Sequence, residues 1–402
     1  MPKSIVDRRK ILELLERGVE NIYPSKQYVK SLLEGKKQLT VYLGIDPSAS
    51  VLHLGTAIPL MKLRQFQDLG HKVILLIGDF TAMSGDPDKT EARKRITRKE
   101  VLENCRKYKE QTGKILKFTG KNAAQYRFNS RWLSKLTFTD VVELASHVTV
   151  QRMLERDLFK RRIDDSKPLY IHEFLYPLMQ GYDSVYMNVD GEIGGNDQTY
   201  NMLTGRDLMK AYKKKEKFVL TMKLLEDSTG KKMGKTEGNM VTLVDSPKEM
   251  FGKIMSWTDE MIVPAYELLT QVPMSEVRKC DELMREGRLN PRDAKAELAS
   301  RIVTFFYNAS SAKKAETGFI KTFAKKEDPG DIEKVNLTKK KMALIDFLAA
   351  YKLAASKSEA RRLIEQGGVK VNHTRVSEWN VEIEFKSGDI VQVGKRRFVK
   401  IS

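Results

Sequence analysis

The stretch from Val41 to Thr56, VYLGIDPSASVLHLGT, constrains the fold more than any other part of the chain. Val41 to Ile45 reads as a short apolar strand, Asp46-Pro47-Ser48 as a turn, and His53-Leu54-Gly55-Thr56 as the opening of an amphipathic helix running to about Leu69. A helix that starts straight after a parallel strand aims its unpaired N–H groups and the positive end of its dipole at the space beyond the strand end. That space suits an anionic phosphate. Gly55 lets a ligand approach the helix start, and His53 adds a neutral donor beside the same place. An ordinary strand and helix joined by a turn that holds a histidine fits the same letters, so the rest of the chain has to decide.

Val73 to Ile77 is a continuous apolar run, the pattern of a strand buried on both faces of a parallel sheet. Strand, helix and strand make the first half of a doubly wound fold, whose ligands bind at the carboxyl ends of the strands. TAMSGDPD follows and puts Thr81 and Asp86 at that edge, although Gly85-Asp86-Pro87 alone is an ordinary turn. A basic helix from Lys89 to Gln111, a strand KILKF, a loop with Asn129 and Trp132, and helices over Thr139 to His147 and Thr149 to Arg162 then interrupt the alternation. This helical insertion, about 88–165, is expected to split the sheet into two halves and to offer a surface to a second subunit or to the chain itself.

IHEFLYPLMQGYDSVYM reads as a helix from about His172, with Tyr176, Gln180 and Asp183 at i, i+4 and i+7 on one face. Among Phe174, Leu175, Leu178 and Met179, that line of phenol, carboxamide and carboxylate is either a solvated stripe or the polar floor of a ligand pocket. The apolar surroundings favour the pocket. A second strand-to-helix turn follows at Gly194-Gly195-Asn196-Asp197-Gln198, where an acidic residue is placed to accept from ribose hydroxyls. After the strand FVLTM comes LLEDSTGKKMGKTEGN, with Lys231, Lys232 and Lys235. Its segment from Gly230 to Thr236 is not a Walker loop, because only three residues separate the glycines and the segment does not follow the first strand. The lysines read as a cationic clamp over phosphates, with a plain surface loop as the alternative.

With 402 residues the chain has room for two or three domains. It contains no apolar run of membrane-spanning length, and its amino terminus lacks the apolar core of a secretory signal. Cys105 and Cys280 are the only cysteines, which suits a reducing compartment, so a cytoplasmic location is expected. Lys and Arg outnumber Asp and Glu by 72 to 53, an excess that attracts polyanions such as nucleic acid. Residues 241–331 read as helix-rich and 332–341 as a linker. Residues 342–402 then form a compact basic unit, with a helix at Ala343 to Lys352, a second capped by Ser358, short β-like segments, and Arg361, Arg362, Lys395, Arg396 and Arg397 grouped.

Taken in order, YLGIDP, HLGT, GDP, YPLMQGYD, GGNDQ and KMGKT resemble the signature elements of the tyrosyl-tRNA synthetase family of bacterial and organellar type, class I aminoacyl-tRNA synthetases. HLGT stands where the class has HIGH, and KMGKT where it has KMSKS. The resemblance implies an α/β fold: a Rossmann-like doubly wound parallel sheet with a helical insertion over 1–240, then an α-helical anticodon-recognition domain, then a small α+β RNA-binding domain like that of ribosomal protein S-four. It implies that Tyr42 and Asp183 bind the phenol of L-tyrosine, that Asp86, Tyr176 and Gln180 hold its amino group, and that Gln198 lines the same pocket. On the ATP side it implies Gly44, Asp46, His53, Gly55, Gly195, Asp197, Lys232 and Lys235, with His53, Thr56, Lys232 and Lys235 as the catalytic set.

ATP then enters as a substrate accompanied by Mg2+, with no protein-held metal and no tightly bound cofactor. The partners implied are tRNA(Tyr), which the basic terminal unit would bind, and a second copy of the chain in a homodimer; no membrane is implied. Thr56 departs from the second histidine of HIGH, and Leu43 stands where some members carry a cysteine facing the ribose. Two rivals stand beside this reading: a tryptophanyl-tRNA synthetase, for which a phenol-binding Tyr and Asp pair has no purpose, and a non-catalytic RNA-binding protein on a synthetase scaffold.

Overall fold

The computed structural model describes residues 4–86, 96–226, 240–321, 333–337, 341–372, 374–394 and 397–402. Lys232, Lys235, Lys395 and Arg396 lie outside these residues, as does the start of the basic helix expected from Lys89. The chain divides into two compact units, Met1–Ala309 and Ser310–Ser402.

The first unit is built on six strands: β1 (Val19–Tyr23), β2 (Thr40–Ile45), β3 (Lys72–Ile77), β4 (Gln125–Phe128), β5 (Gly191–Gly195) and β6 (Phe218–Met222). Their order in the sheet is β1-β6-β5-β2-β3-β4. All neighbours are parallel except β1, which runs antiparallel along β6. The apolar runs of β3 and β6 are buried along nearly their whole length, as strands covered on both faces must be. From β2 the chain moves outward through β3 to β4, then returns to the other side of β2 as β5 and β6. The β2–β5 boundary is therefore the topological switch point, where an open sheet leaves a crevice at its carboxyl edge.

The Leu54–Asp68 helix joins β2 to β3, and the Ile171–Met187 helix leads into β5. Five segments of the sequence reading need correction. The basic helix expected to run to Gln111 is, within the described residues, two helices, Arg98–Cys105 and Tyr108–Gly113, parted at Arg106 and Lys107. KILKF is not a strand: Ile115 and Leu116 are buried in a turn after the Tyr108–Gly113 helix, and the strand lies at Gln125–Phe128, inside the insertion. The expected helix from Thr149 to Arg162 is broken into Val150–Leu154 and Asp157–Asp164, with Arg156 extended between them. In the second unit the helix Lys357–Glu365 is capped by Ser356, not Ser358, its hydroxyl accepting from the Glu359 N–H. Within the stretch read as a linker, Glu333–Val335 pairs parallel with Arg397–Ile401, so that unit's sheet begins before Met342.

Helices Pro247–Met255, Ile262–Leu269, Met274–Arg285 and Pro291–Phe306 complete the first unit. Buried Arg17 ties them to the amino-terminal helix by donating at 2.9 and 2.8 Å to the Tyr266 and Glu267 carbonyls in the last turn of the Ile262–Leu269 helix, and at 2.6 Å to the Val272 carbonyl beyond it. The second unit packs Leu344–Ala350 and Lys357–Glu365 on a five-stranded sheet. Phe347 and Phe385 are stacked 4.5 Å apart in its core, beside Leu348, Ile364, Val369, Val391 and Val399. Arg361 and Arg362 lie on the second helix, where Arg361 bonds Glu365 at 2.8 Å and sits 4.6 Å from the Trp379 ring. Arg397 instead donates to the Leu353 carbonyl at 2.8 Å, a structural contact.

Candidate active site

A cavity of about 240 Å³ opens at the switch point, walled by Tyr42 to Ile45 of β2, by Asp46 just after it, and by Glu192 to Gly195 of β5. Thr56, Asp86, Tyr176, Gln180, Asp183 and Gln198 also line it, so the structure brings together every residue expected to bind the amino acid. Gly44 and Asp46 are in the wall, and no atom lies within 4 Å of where a Cβ on Gly44 would be. His53, Gly55 and Asp197 lie outside the lining, and Asp197 is exposed. Leu43 is buried.

The helix face predicted from spacing is present. Asp183 is buried, and its two oxygens accept from Asn129 Nδ2 at 3.2 Å and Trp132 Nε1 at 2.7 Å. Burial pushes this carboxyl well above the usual range, while those two donors oppose the shift by favouring the ionised acceptor. Tyr42 is fully buried, and its phenol is pushed up by burial and by the charges of Glu192 and Asp183. Tyr176 donates to Asp46 Oδ2 at 2.9 Å, and Thr81 donates to Asp46 Oδ1 at 2.8 Å. Gln180 donates to Glu192 Oε1 at 3.0 Å.

Asp86 sits in a buried cluster. It accepts from Arg156 Nη2 at 2.8 Å and from Gln198 Nε2 at 2.7 Å, while Gln198 Oε1 accepts from Asn201 at 3.0 Å. The break between the two insertion helices is what lets Arg156 turn inward to this carboxylate. Gly78 is equally constrained, because a Cβ there would lie 1.9 Å from Asp46 Oδ1 and 2.4 Å from Thr81 Oγ1.

On the phosphate side, His53 caps the Leu54–Asp68 helix without a side-chain capping bond, and burial keeps its imidazole below its ordinary range, hence neutral at pH 7. Its Nδ1 is buried with no partner among the described residues. A Cβ on Gly55 would lie 2.9 Å from the His53 ring, so this glycine clears the imidazole rather than a ligand. Leu54 N donates to Val241 O at 3.0 Å, and Leu243 N to Leu52 O at 2.8 Å. The chain leaving the lysine-rich segment is thereby stitched beside His53.

Sequence reasoning missed Arg156, Ser184, Glu192, Asn201 and Lys217 as parts of the site. Only Glu192, the one charged residue in the strand GEIGG, offered a signal in the sequence.

Residues 34–324 match the family described as tRNA synthetases class I (W and Y), and residues 325–400 match the tyrosine–tRNA ligase SYY-like C-terminal domain. The tyrosine–tRNA ligase of Carboxydothermus hydrogenoformans is 46% identical over 100% of this chain and 99% of its own. That of Moorella thermoacetica is 44% identical over 97% of this chain and 95% of its own. Among solved structures, the C-terminally truncated mitochondrial tyrosyl-tRNA synthetase of Coccidioides posadasii superposes with a TM-score of 0.63 at 25% identity, covering 77% of this chain and 92% of that one. The Archaeoglobus fulgidus tyrosyl-tRNA synthetase, solved with L-tyrosine, gives 0.61 at 21% identity over 77% and 100%, a likeness of fold.

Proposed function

The chain belongs to the tyrosine–tRNA ligase family, within the class I tRNA synthetases of the tryptophan and tyrosine group, and from that premise we propose that the β2–β5 cavity is where L-tyrosine is activated. The observation that carries this reading is the convergence of Tyr42, Asp183, Tyr176, Gln180 and Asp86 on one cavity at the switch point.

Tyrosine enters with its phenol toward Tyr42 and Asp183 and its ammonium toward Asp86, Tyr176 and Gln180. Asp46, Asp86, Asp183 and Glu192 line the cavity, and their carboxyl oxygens offer acceptors to that ammonium. The substrate carboxylate then faces the carboxyl ends of β2 and β5, where ATP lies with its ribose toward Asp197 and its phosphates toward His53 and Thr56. Mg2+ arrives with the nucleotide as part of the substrate. The tyrosine carboxylate attacks the α-phosphorus in line, the bond to the β-phosphate oxygen breaks, and tyrosyl-adenylate and pyrophosphate form. Lys232 and Lys235 meet the charge on the departing pyrophosphate. The terminal ribose hydroxyl of tRNA(Tyr) then takes the tyrosyl group, releasing AMP. Positioning and charge stabilisation supply the acceleration, and no protein nucleophile takes part.

The second unit, with Arg361, Arg362, Lys395, Arg396 and Arg397, holds tRNA, so charging is more salt-sensitive than adenylate formation. The enzyme acts as a homodimer. Supporting this, Phe138, Val142, Val150, Ile163 and Ile171 expose apolar surface on and beside the insertion helices, Phe138 and Ile171 by 84% and 83%. Reaction in the cytoplasm suits two cysteines that form no disulfide.

Tyrosine-dependent exchange of labelled pyrophosphate into ATP is the test. Exchange that depends on tyrosine and not on tryptophan supports the reading; no exchange, or exchange driven by tryptophan, overturns it. Light scattering that gives a monomer of 46.1 kDa with full activity would remove the homodimer.

A further inference from the structure

The loop that leads from β2 to His53 is held by side chains that take no part in the reaction itself. Pro47 to Leu52 belongs to no helix or strand, so its backbone groups need partners from elsewhere. Asn104, Tyr108 and Gln111 supply them. Asn104 Nδ2 donates to the Pro47 carbonyl at 3.0 Å, the Tyr108 hydroxyl to that of Ala49, and Gln111 Nε2 to that of Ser50 at 3.1 Å, while Gln111 Oε1 accepts from Leu52 N at 2.8 Å. Lys114 extends the row: its Nζ donates at 2.6 Å to the carbonyl of Leu243, the residue whose N–H donates to Leu52 O. The four stand at i, i+4, i+7 and i+10, the spacing of one helix face, on and just after the helices Arg98–Cys105 and Tyr108–Gly113.

His53 is what the two held stretches share. Pro47 to Leu52 runs directly into it, and Thr242, next to Leu243, forms a β-bridge with it. Its Nδ1 has no partner among the described residues, so that atom gives the ring no anchor, and the backbone on either side sets where the imidazole stands. Stability alone does not call for this row. Ser48 and Ser50 are exposed, so water could bond the loop carbonyls at little cost in free energy. What Tyr108 and Gln111, each only 2% exposed, add to the loop is a fixed geometry.

We propose that Asn104, Tyr108, Gln111 and Lys114 are positioning residues that hold the two backbone stretches flanking His53 and so set its imidazole against the ATP phosphates. They serve the nucleotide and not the amino acid. None of them lines the β2–β5 cavity, and Asp46, at the cavity end of the loop, is held separately by Tyr176 and Thr81. This inference rests on the reading that His53 meets the phosphates.

The test separates the two substrates on the full chain. Equilibrium dialysis of labelled tyrosine without ATP gives the affinity for tyrosine and the concentration of intact sites; pyrophosphate exchange on the same preparation gives the specificity constant for ATP per intact site. Gln111→Met is expected to lower that constant roughly fivefold to thirtyfold, the scale of two neutral hydrogen bonds, and to leave tyrosine affinity unchanged. In a His53→Ala background Gln111→Met should lower it no further, because Gln111 acts through His53. Lys114→Met, at a half-buried position, carries the same test if Gln111→Met fails to fold. A wild-type constant per intact site, an equal loss of tyrosine affinity, or a full additive effect in the His53→Ala background overturns the proposal, each being the mark of a merely structural role. If His53→Ala alone leaves the constant for ATP unchanged, the phosphates are met elsewhere and the underlying reading of His53 fails as well.

Discussion

Asp86 accepts from Arg156 Nη2 at 2.8 Å, a contact between side chains only 8% and 6% exposed and 70 residues apart in sequence. It fixes the loop after β3 to the insertion, and through Gln198 to the helix start after β5. Three separate parts of the chain are held around one carboxylate.

Arg156→Ala strands that carboxylate. Breaking a buried pair by removing one partner costs about 3–5 kcal/mol. Urea unfolding should show a loss of that order, and pyrophosphate exchange a raised KM for tyrosine, because Asp86 is no longer held beside the ammonium. A change below about 1 kcal/mol, the scale of an exposed pair, would contradict the burial argument.

Asp183→Ala should remove most of the preference for tyrosine over phenylalanine, whereas Tyr42→Phe should only narrow it. Tyr42→Phe removes one neutral hydrogen bond, worth about 1 kcal/mol, whereas Asp183→Ala removes a whole polar group whose burial the phenol hydroxyl helps to satisfy. Asp183→Ala also leaves Trp132 Nε1 without its acceptor, while Asn129 Nδ2 keeps Thr81 Oγ1 at 3.1 Å, lowering stability by about 1–3 kcal/mol. Comparing the specificity constants for the two amino acids in each variant decides the order.

Gly78→Ala tests the packing around Asp46. The added methyl overlaps both Asp46 and Thr81, so Asp46 must move and release the Tyr176 hydroxyl. Overpacking of this kind costs about 1–3 kcal/mol. Activation of tyrosine is expected to fall at least about tenfold, the scale of one lost hydrogen bond. Wild-type exchange kinetics would show that the carboxylate position is not needed.

His71 makes stability pH-dependent. It is fully buried, its Nδ1 accepts from Leu39 N at 3.3 Å, and burial pushes its pKa down to about 4 from 6.5, against the opposing charge of Asp190. Between these values the unfolded chain binds a proton that the folded chain does not, so stability falls as pH drops through the window. The full loss is about 3 kcal/mol by pH 4, with no contribution from this group above pH 6.5. Urea unfolding at several pH values should show this slope, and His71→Gln should flatten it.

Local patterns determined much of this protein. The apolar run before Asp46, the helix after His53, and the i, i+4, i+7 line of Tyr176, Gln180 and Asp183 are short-range signals, and the structure places each where its period demands. Glycine at position 194, near the end of β5, was legible as a close approach, which the structure makes to the next helix: a Cβ on Gly194 would lie 2.9 Å from Met202 Sδ. KILKF misled because a run of apolar residues shows that a segment is buried without showing how. The true edge strand, Gln125–Phe128, is half-buried throughout and too short for alternation to register.

Only the tertiary structure decided which polar side chains meet. Strand order is set by packing between segments far apart, and it is the placement of β5 beside β2 that puts Glu192 opposite Tyr42. Lys217 reaches Ser184 across 33 residues, and Arg156 reaches Asp86 across 70. Neither pair has a fixed spacing, because no single helix or strand spans both partners. A buried charge is stable only when its partner is present, so these residues acquire their roles from the assembled fold and leave no periodic trace in the sequence.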